Sequence, residues 1–207
     1  ILSTCMYPDV VETYPMTEDH IHLGAPSFAN FSYGFTKRSL SVGIEAYNRQ
    51  YNLQYNYMIP CNLYGEYDHF EDPEKCHFIT ALIRKIIDAE KEGKSSIELF
   101  GTGKPLRQFM HASDLARAIK IMIEHDITES FNVATTEENS ISDMATITLK
   151  ALDSDLSVVY NTEKPDGQFR KTVSNKKMLS LMKGFEFTKL EDGVKKVYNE
   201  VIKKYGE

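Results

Sequence analysis

Short apolar runs and amphipathic helical stretches alternate along the 207 residues, and this alternation predicts a layered α/β fold. Residues 1–5 and 57–63 are predicted to form buried strands, with a helix over residues 32–51 between them. These three segments predict one βαβ unit. No internal repeat or low-complexity segment interrupts the pattern.

The same criteria predict further elements downstream. Ser113 and Asp114 are expected to cap a helix, because short polar side chains at that position accept hydrogen bonds from free backbone N–H groups. The other expected elements are a helix with the apolar face Phe78, Leu82, Ile83, Ile86 and Ile87, strands at 96–100, 131–134 and 156–160, and helices at 142–152 and about 194–202. The elements after residue 134 are predicted to form a smaller lobe beside a sheet.

Composition narrows the class of protein. Hydrophobic residues make up 42% of the chain and charged residues 26%, without a signal peptide or a long apolar run, so a cytoplasmic protein without a membrane span is expected. The net charge of -6 argues against a nucleic-acid partner. Cys5, Cys61 and Cys76 lack a disulfide spacing and are expected to be reduced, and the Cys and His positions match no usual zinc pattern, so no metal is expected.

Tyr33 and Lys37 are four residues apart, so a helix places them on one face. An ammonium beside a phenol favours the phenolate and makes the hydroxyl a better proton donor to a developing alkoxide. An ordinary exposed pair on a surface helix fits the same spacing. Ser3 adds to the pattern, because hydroxyls at the end of a strand face the ligand crevice of an α/β sheet.

Three features in order resemble the extended short-chain dehydrogenase/reductases. They are Ser3-x-x-x-Tyr7, Tyr33-x-x-x-Lys37, and the segment 60–65 at the end of the next strand. Within these dehydrogenase/reductases the sequence is similar to the GDP-L-fucose synthases, on Cys5, His77, and the segments 100–109 and 164–167. The resemblance implies the C-terminal part of a Rossmann-like doubly wound parallel sheet, interleaved with a smaller α/β substrate lobe. The expected sheet portion is residues 1–75 and about 111–134; the expected lobe is about 76–110 and 135–207.

The same resemblance implies 3,5-epimerisation of GDP-4-keto-6-deoxy-D-mannose followed by NADPH-dependent reduction at C4. Cys5 would be the base and His77 the acid of the epimerisation, since inversion needs one group to remove a proton and another to return it. In the reduction Tyr33 would protonate the oxygen, Ser3 would hold it, and Lys37 would act on Tyr33 and on the nicotinamide ribose.

Binding residues are implied in the same way. Those expected to border NADP(H) are Ile1, Leu2, Ser3, Thr4, Tyr33, Lys37, Pro60, Cys61, Asn62, Leu63 and His77. Those expected to contact the GDP-sugar are Asn62, Lys85, Phe100, Arg107 and Asp166. The chain departs from the family pattern at Phe100, where a Trp is common, and at Glu66-Tyr67, where a Pro-His is frequent.

The family's G-x-x-G-x-x-G loop is not present in the 207 residues, so the cofactor-binding half is expected to precede Ile1 and the chain alone is expected to be inactive. A homodimer through residues 32–51 and 77–90 is also implied. Two alternatives stay open: another NAD(P)-dependent nucleotide-sugar epimerase or reductase, and a non-catalytic remnant that binds a nucleotide sugar.

Overall fold

Helices and short strands alternate in a computed structural model that describes residues 1–71 and 76–205. Within these residues the helices are α1 (Phe31–Tyr51), α2 (Phe78–Lys91), α3 (Ala112–Glu124), α4 (Ile141–Ala151), α5 (Lys176–Leu181) and α6 (Leu190–Tyr205). The strands are β1 (Met58–Pro60), β2 (Asn62–Tyr64), β3 (Ser96–Phe100), β4 (Leu106–Arg107), β5 (Phe109–His111), β6 (Phe131–Val133), β7 (Asn139–Ser140), β8 (Ser157–Asn161) and β9 (Arg170–Lys171). None of the helices in this part of the chain has both the length and the apolar character that a membrane crossing requires.

Parallel pairing prevails among the strands. β1 pairs with β6, β2 with β5, β3 with β8 and β4 with β9, all in parallel, whereas β7 lies antiparallel to β4. Parallel neighbours need crossover connections, and helices supply them here. The predicted α/β class is therefore confirmed, and so are the helices over 32–51, 142–152 and 194–202, within a few residues at each end.

The predicted strand over residues 1–5 is wrong. Its single ladder-like contact is the bond from Leu2 N to Met58 O, 2.8 Å long, after which residues Thr4–Met6 form a 3₁₀ turn. Ser3 Oγ accepts a hydrogen bond from Cys5 N at 3.2 Å, and Met6 N donates to Ser3 O at 3.1 Å. A serine side chain bonded to nearby backbone competes with extended pairing, and it ends the strand early.

Two other expectations change in detail. The strand predicted over 57–63 is divided at Cys61, whose N–H donates to Val133 O at 2.9 Å before the chain moves on to pair with β5. The N-cap of α3 is His111, not Ser113 or Asp114. Asp114 is instead fully buried and accepts hydrogen bonds from Thr188 N and Thr188 Oγ1, so it fastens α3 to the segment before α6.

Apolar side chains collect in three buried clusters. The first surrounds β1 and β6 and includes Met178 and Met182 of the C-terminal region. The second joins α2, α4 and α6 and includes Tyr64 and Phe70, and the third packs α2 and α4 against β3. The two predicted portions thus share their cores, and their boundaries stay a prediction.

Helix α1 rests on the Thr4–Met6 turn through its own backbone. Gly34 approaches so closely that a Cβ built there would lie 2.4 Å from Cys5 O and 2.8 Å from Pro26 Cβ. One turn further along, buried Arg38 donates from Nε to Met6 O at 3.0 Å and from Nη1 to Gly24 O at 2.8 Å. These contacts fix the distance between the helix and the turn.

Gly34→Ala should therefore destabilise the protein by about 1–3 kcal/mol, the usual cost of forcing extra volume into a packed contact. Gly43 lies on the same helix, and a methyl group added there would meet nothing within 4 Å, so Gly43→Ala is the matched control. It should stabilise by roughly 0.5–1 kcal/mol, since alanine favours helix over glycine. Urea unfolding of both variants tests this, and equal effects of the two substitutions would contradict it.

Candidate active site

A cleft of about 1300 Å³ opens between the Thr4–Met6 turn, the start of α1 and the ends of β1 and β2. Most of the residues that the sequence singled out line it. They are Ile1, Leu2, Ser3, Thr4, Cys5, Tyr33, Lys37, Pro60, Cys61, Asn62, Leu63, His77 and Arg107. Lys85, Phe100 and Asp166 are not among the lining residues. The individual roles assigned to all of them stay predictions.

Cys5 sits within the Thr4–Met6 turn and is partly accessible. Its sulfur accepts a hydrogen bond from Lys171 Nζ at 2.9 Å. Sequence reasoning missed Lys171, because 166 residues separate the two and no local pattern links them. An ammonium in this position stabilises negative charge on sulfur.

Tyr33 and Lys37 share a face of α1, as the spacing predicted. The Lys37 ammonium lies 5.7 Å from the centre of the Tyr33 ring, within the range of a cation–π contact. Lys37 Nζ also donates to Ile1 O at 3.4 Å, which ties the helix to the first residue of the cleft. Tyr33 itself is 48% exposed, so its hydroxyl is open to a ligand.

His77 directly precedes α2, and its ring contacts the carboxylate of Asp68. Its Nδ1 lies 2.9 Å from Asp68 Oδ1, and Asp68 Oδ2 accepts a hydrogen bond from Thr80 Oγ1 at 2.7 Å. Burial acts to raise the pKa of Asp68, but the hydrogen bonds from Thr80 and His77 outweigh it and the pKa is lowered. A carboxylate at Nδ1 fixes the proton there and leaves Nε2 for chemistry, so Asp68 is an orienting residue that sequence reasoning missed.

Cys61, between β1 and β2, and Asn62, the first residue of β2, line the same wall of the cleft. Burial raises the pKa of the Cys61 thiol to about 12, so this cysteine remains protonated. Asn62 Nδ2 donates to Gln108 O at 2.9 Å, which holds β2 beside β5. The burial of Cys61 and the hydrogen bond of Asn62 are thus both present in the protein without a bound molecule.

Charge in the cleft is opposite in sign to the charge of the chain. Among the described residues its lining carries four cations, Lys37, Arg107, Lys171 and Lys196, against the two carboxylates Glu66 and Asp68. Asp68 faces His77, and Glu66 Oε2 lies 3.0 Å from Nε2 of buried His111, at ion-pair distance but without the alignment of a hydrogen bond. An overall charge of -6 therefore coexists with a cleft suited to an anion.

The three predicted substrate residues outside the cleft form a separate group, which we call the Phe100 platform. Phe100 is 59% exposed, and the ammonium groups of Lys85 and Lys164 lie 4.9 Å and 5.7 Å from its ring centre. Asp166 accepts from Thr102 N at 2.6 Å and Thr102 Oγ1 at 2.8 Å, and these bonds lower its pKa. Gly167 follows Asp166 directly and lines the cleft, so the platform adjoins the cleft rim.

Arg107 connects the two regions. Its guanidinium donates to the backbone carbonyls of Leu106, Gln168 and Phe169. Burial lowers the pKa of Arg107, opposed by the charges of Asp166 and Cys5. Backbone contacts thus hold this cation at the edge of the cleft.

Comparison with known proteins identifies the architecture. Residues 1–134 match the NAD dependent epimerase/dehydratase family. The chain belongs to this family. A GDP-L-fucose synthetase from Naegleria fowleri bound to NADP is a structural neighbour of this family member, with a TM-score of 0.89, 34% identity, and coverage of 99% of this chain and 65% of that one.

Curated relatives agree with the resemblance seen in the sequence. This family member is 35% identical over 207 residues to the GDP-L-fucose synthase of Dictyostelium discoideum, covering 99% of this chain and 64% of that protein. It is 36% identical over 197 residues to the GDP-L-colitose synthase of Yersinia pseudotuberculosis, covering 94% of this chain and 63% of that protein. The chain thus spans less than two thirds of the length of each.

Asp68→Asn should destabilise this family member at neutral pH. A carboxyl group whose pKa is lower in the folded than in the unfolded protein stabilises the fold at any pH above its unfolded pKa. That stabilisation is lost as the pH falls through the folded pKa, which for Asp68 lies below the ordinary value of 3.8. The difference in unfolding free energy between the wild type and Asp68→Asn should therefore shrink below about pH 4.

Asp155→Asn is the control, because the Asp155 side chain is exposed and no partner is seen for it among residues 1–71 and 76–205. It should change the unfolding free energy by less than about 0.5 kcal/mol at neutral pH. Urea titrations between pH 3 and pH 7 measure both variants. A wild-type advantage over Asp68→Asn that persists undiminished at the acid end would contradict the assignment.

Proposed function

We propose that this chain carries the substrate side of a GDP-L-fucose synthase, which epimerises GDP-4-keto-6-deoxy-D-mannose at C3 and C5 and reduces it at C4. The observation that carries the proposal is the presence of Cys5, Tyr33, Lys37 and His77 on the walls of a single cleft. Similarity to the GDP-L-fucose synthase of Dictyostelium supports it. Since the chain spans less than two thirds of that relative, the activity as a whole is part of the proposal.

Epimerisation requires an acid and a base on opposite faces of the sugar. The C4 carbonyl acidifies the protons at C3 and C5, so a thiolate at Cys5 can take one of them and leave an enolate. His77, with a proton on both ring nitrogens, then returns the Nε2 proton to the same carbon from the other face and becomes neutral, while Asp68 holds the Nδ1–H in place. Cys5 can act as a base only if it is not part of a disulfide, which fits a protein of the reducing cytoplasm.

Reduction at C4 uses Ser3, Tyr33 and Lys37 rather than the epimerising residues. Ser3 holds the C4 oxygen, Tyr33 gives it a proton as negative charge develops, and Lys37 stabilises the tyrosinate that remains. NADPH, when bound, supplies the hydride for C4. The contact between Lys37 and the Tyr33 ring supports this division of work.

The residues of the cleft fit the nicotinamide end of that cofactor. Residues 1–4 and 60–63 line the cleft with uncharged side chains, and Lys37 Nζ reaches it while donating to Ile1 O at 3.4 Å. The Gly-rich loop that binds the cofactor diphosphate is not in the sequence. We therefore infer that a further segment supplies the diphosphate site.

A GDP-sugar fits both the positive charge of the cleft and the aromatic ring of the Phe100 platform. The net positive lining of the cleft suits a diphosphate, and a planar guanidinium such as that of Arg107 recognises phosphate oxygens well. Phe100 offers an exposed aromatic face on which a guanine can stack. Lys85 and Lys164 beside that ring add positive charge near the nucleoside.

A second candidate is another GDP-sugar epimerase or reductase, favoured by the 36% identity to a GDP-L-colitose synthase. Both candidates use the same cleft and differ in the sugar that they accept. Assaying several GDP-4-keto sugars side by side separates them. Binding of a GDP-sugar without turnover would instead support a non-catalytic remnant.

The test uses a fusion protein. It joins this chain to the part of the Dictyostelium GDP-L-fucose synthase that the chain does not cover, and that part is expected to be N-terminal because the Gly-rich loop belongs there. The fusion should convert GDP-4-keto-6-deoxy-D-mannose to GDP-L-fucose with consumption of NADPH. Tyr33→Phe should lower reduction by about 10²–10⁴-fold, the usual worth of a positioned proton donor, and retain solvent-deuterium exchange at C3 and C5. Cys5→Ala should abolish that exchange.

Tyr55→Phe provides the control, because Tyr55 is exposed and lies outside both the cleft lining and helix α1. It should leave exchange and reduction unchanged. Product mass, deuterium content and NADPH absorbance report the three quantities separately. Loss of exchange in Tyr33→Phe to the same degree as reduction, or near wild-type epimerisation by Cys5→Ala, would sink the assignment of separate roles.

A homodimer also belongs to the proposal. Helix α1 exposes apolar and aromatic side chains in two stripes that the helical period sets on opposite sides, Phe31, Phe35 and Val42 on one and Leu40, Tyr47 and Tyr51 on the other, while it buries few of its own residues. An exposed surface of this kind is typical of an interface. The second helix of the expected interface, α2, already uses its apolar face inside the chain, so we restrict the proposed interface to α1.

Light scattering at tens of micromolar should give twice the mass of the chain. Leu40→Glu, which places a charge in the stripe of α1 that carries Tyr47 and Tyr51, should shift the mass to that of a monomer. Leu23→Glu is the control, because Leu23 is also exposed but lies before α1. A monomeric wild type, or dissociation by both variants alike, would contradict an interface on α1.

A further inference from the structure

Lys171 is a buried cation with an unusual partner. It ends β9, where it lies opposite Arg107 of β4, and only 8% of its surface is exposed. Its ammonium donates to Cys5 Sγ at 2.9 Å. Within residues 1–71 and 76–205, no carboxylate of Asp or Glu lies at ion-pair distance from this ammonium.

A buried ammonium is costly unless an anion or several strong acceptors face it. A neutral thiol is a weak acceptor and offsets little of that cost. A thiolate would offset much more, because it supplies the missing negative charge at hydrogen-bond distance. The contact is therefore better matched to charged sulfur than to neutral sulfur.

A second cation interacts with Cys5. Arg107 lies on the strand beside Lys171, and its guanidinium interacts electrostatically with Asp166 and with Cys5, although burial lowers the pKa of Arg107. Lys37 and Lys196 are the other cations of the cleft lining, and its carboxylates, Glu66 and Asp68, face histidines. Cations thus dominate the surroundings of the sulfur.

We propose that Lys171 is the counter-ion of a Cys5 thiolate and keeps that sulfur charged at the cleft wall. This role rests on the proposed function, in which Cys5 is the base of epimerisation. Lys171 acts through Cys5 and is a positioning residue. The epimerising base would thus be assembled from two ends of the chain, the Thr4–Met6 turn and strand β9.

Alkylation by iodoacetamide tests the pair in the 207-residue chain without substrate or cofactor, because the thiolate is the reactive form. The rate at each cysteine is read by peptide mass spectrometry. Lys171→Met, which keeps the length but not the charge, should slow alkylation of Cys5 at pH 7 by about tenfold. Lys171→Arg keeps the charge and should stay within about threefold of the wild type.

A pH series separates charge from shape. As the pH rises past the ordinary thiol value of about 8.5, thiolate forms without help and the rates of the wild type and Lys171→Met should converge. Buried Cys61 monitors folding, since its alkylation should remain slow in every variant that keeps the core closed. If Lys171→Met exposes Cys61, the comparison uses Lys171→Gln and Lys171→Arg.

An unchanged or faster reaction of Cys5 in a folded, uncharged Lys171 variant would overturn the proposal, and so would a difference that is constant with pH. The measurement requires neither NADPH nor a GDP-sugar. A fusion protein that makes no GDP-L-fucose would therefore refute the proposed function and leave the pairing standing. Normal turnover by the fusion, together with equal Cys5 alkylation in the wild type and Lys171→Met, would refute the pairing alone.

Discussion

The close contact between helix α1 and the Thr4–Met6 turn is the constraint on which the cleft depends. Gly34 lets the backbone of the helix reach the backbone of the turn, and Arg38 closes the contact by binding carbonyl oxygens on both sides. Cys5 lies on one side of this contact and Tyr33 on the other. Their separation is set by main-chain atoms, which move less than side chains.

Long-range polar contacts then complete the site around that constraint. Lys171 reaches Cys5 from the C-terminal region, and Asp68 reaches His77 from the loop before α2. Asp114, through Thr188, fastens α3 to the segment that leads into α6. Two of these contacts join residues 166 and 74 positions apart in the sequence, so the cleft requires distant parts of the chain to fold together.

Local patterns predicted the helices and the chemistry within them. The spacing of Tyr33 and Lys37 placed both on one face of α1, and the apolar stripe of α2 marked its length, because helical period is written into neighbouring residues. Lys171 and Asp68 gave no such signal, since their partners are chosen by tertiary packing. Strands β4, β7 and β9 have two residues each and are too short to carry a period.

The failed prediction at residues 1–5 has the same origin. Ile1 and Leu2 favour an extended chain, but the hydroxyl of Ser3 bonds to Cys5 N and turns the chain after one ladder contact. Composition could not reveal that competition, because serine is compatible with both outcomes. The resemblance to a known family was the stronger guide here, since it predicted Cys5 as a site residue whatever its backbone conformation, and Cys5 does line the cleft.

The hydrogen bonds of Arg38 to Met6 and Gly24 use main-chain oxygens, which every amino acid supplies. These two hydrogen bonds therefore do not depend on the identity of the exposed side chains that lie between them in the sequence. Residues 9, 10, 12 and 13 are exposed there. This stretch is consequently a natural insertion point, where a tag or a reporter peptide can enter the chain while the turn that bears Cys5 keeps its anchorage.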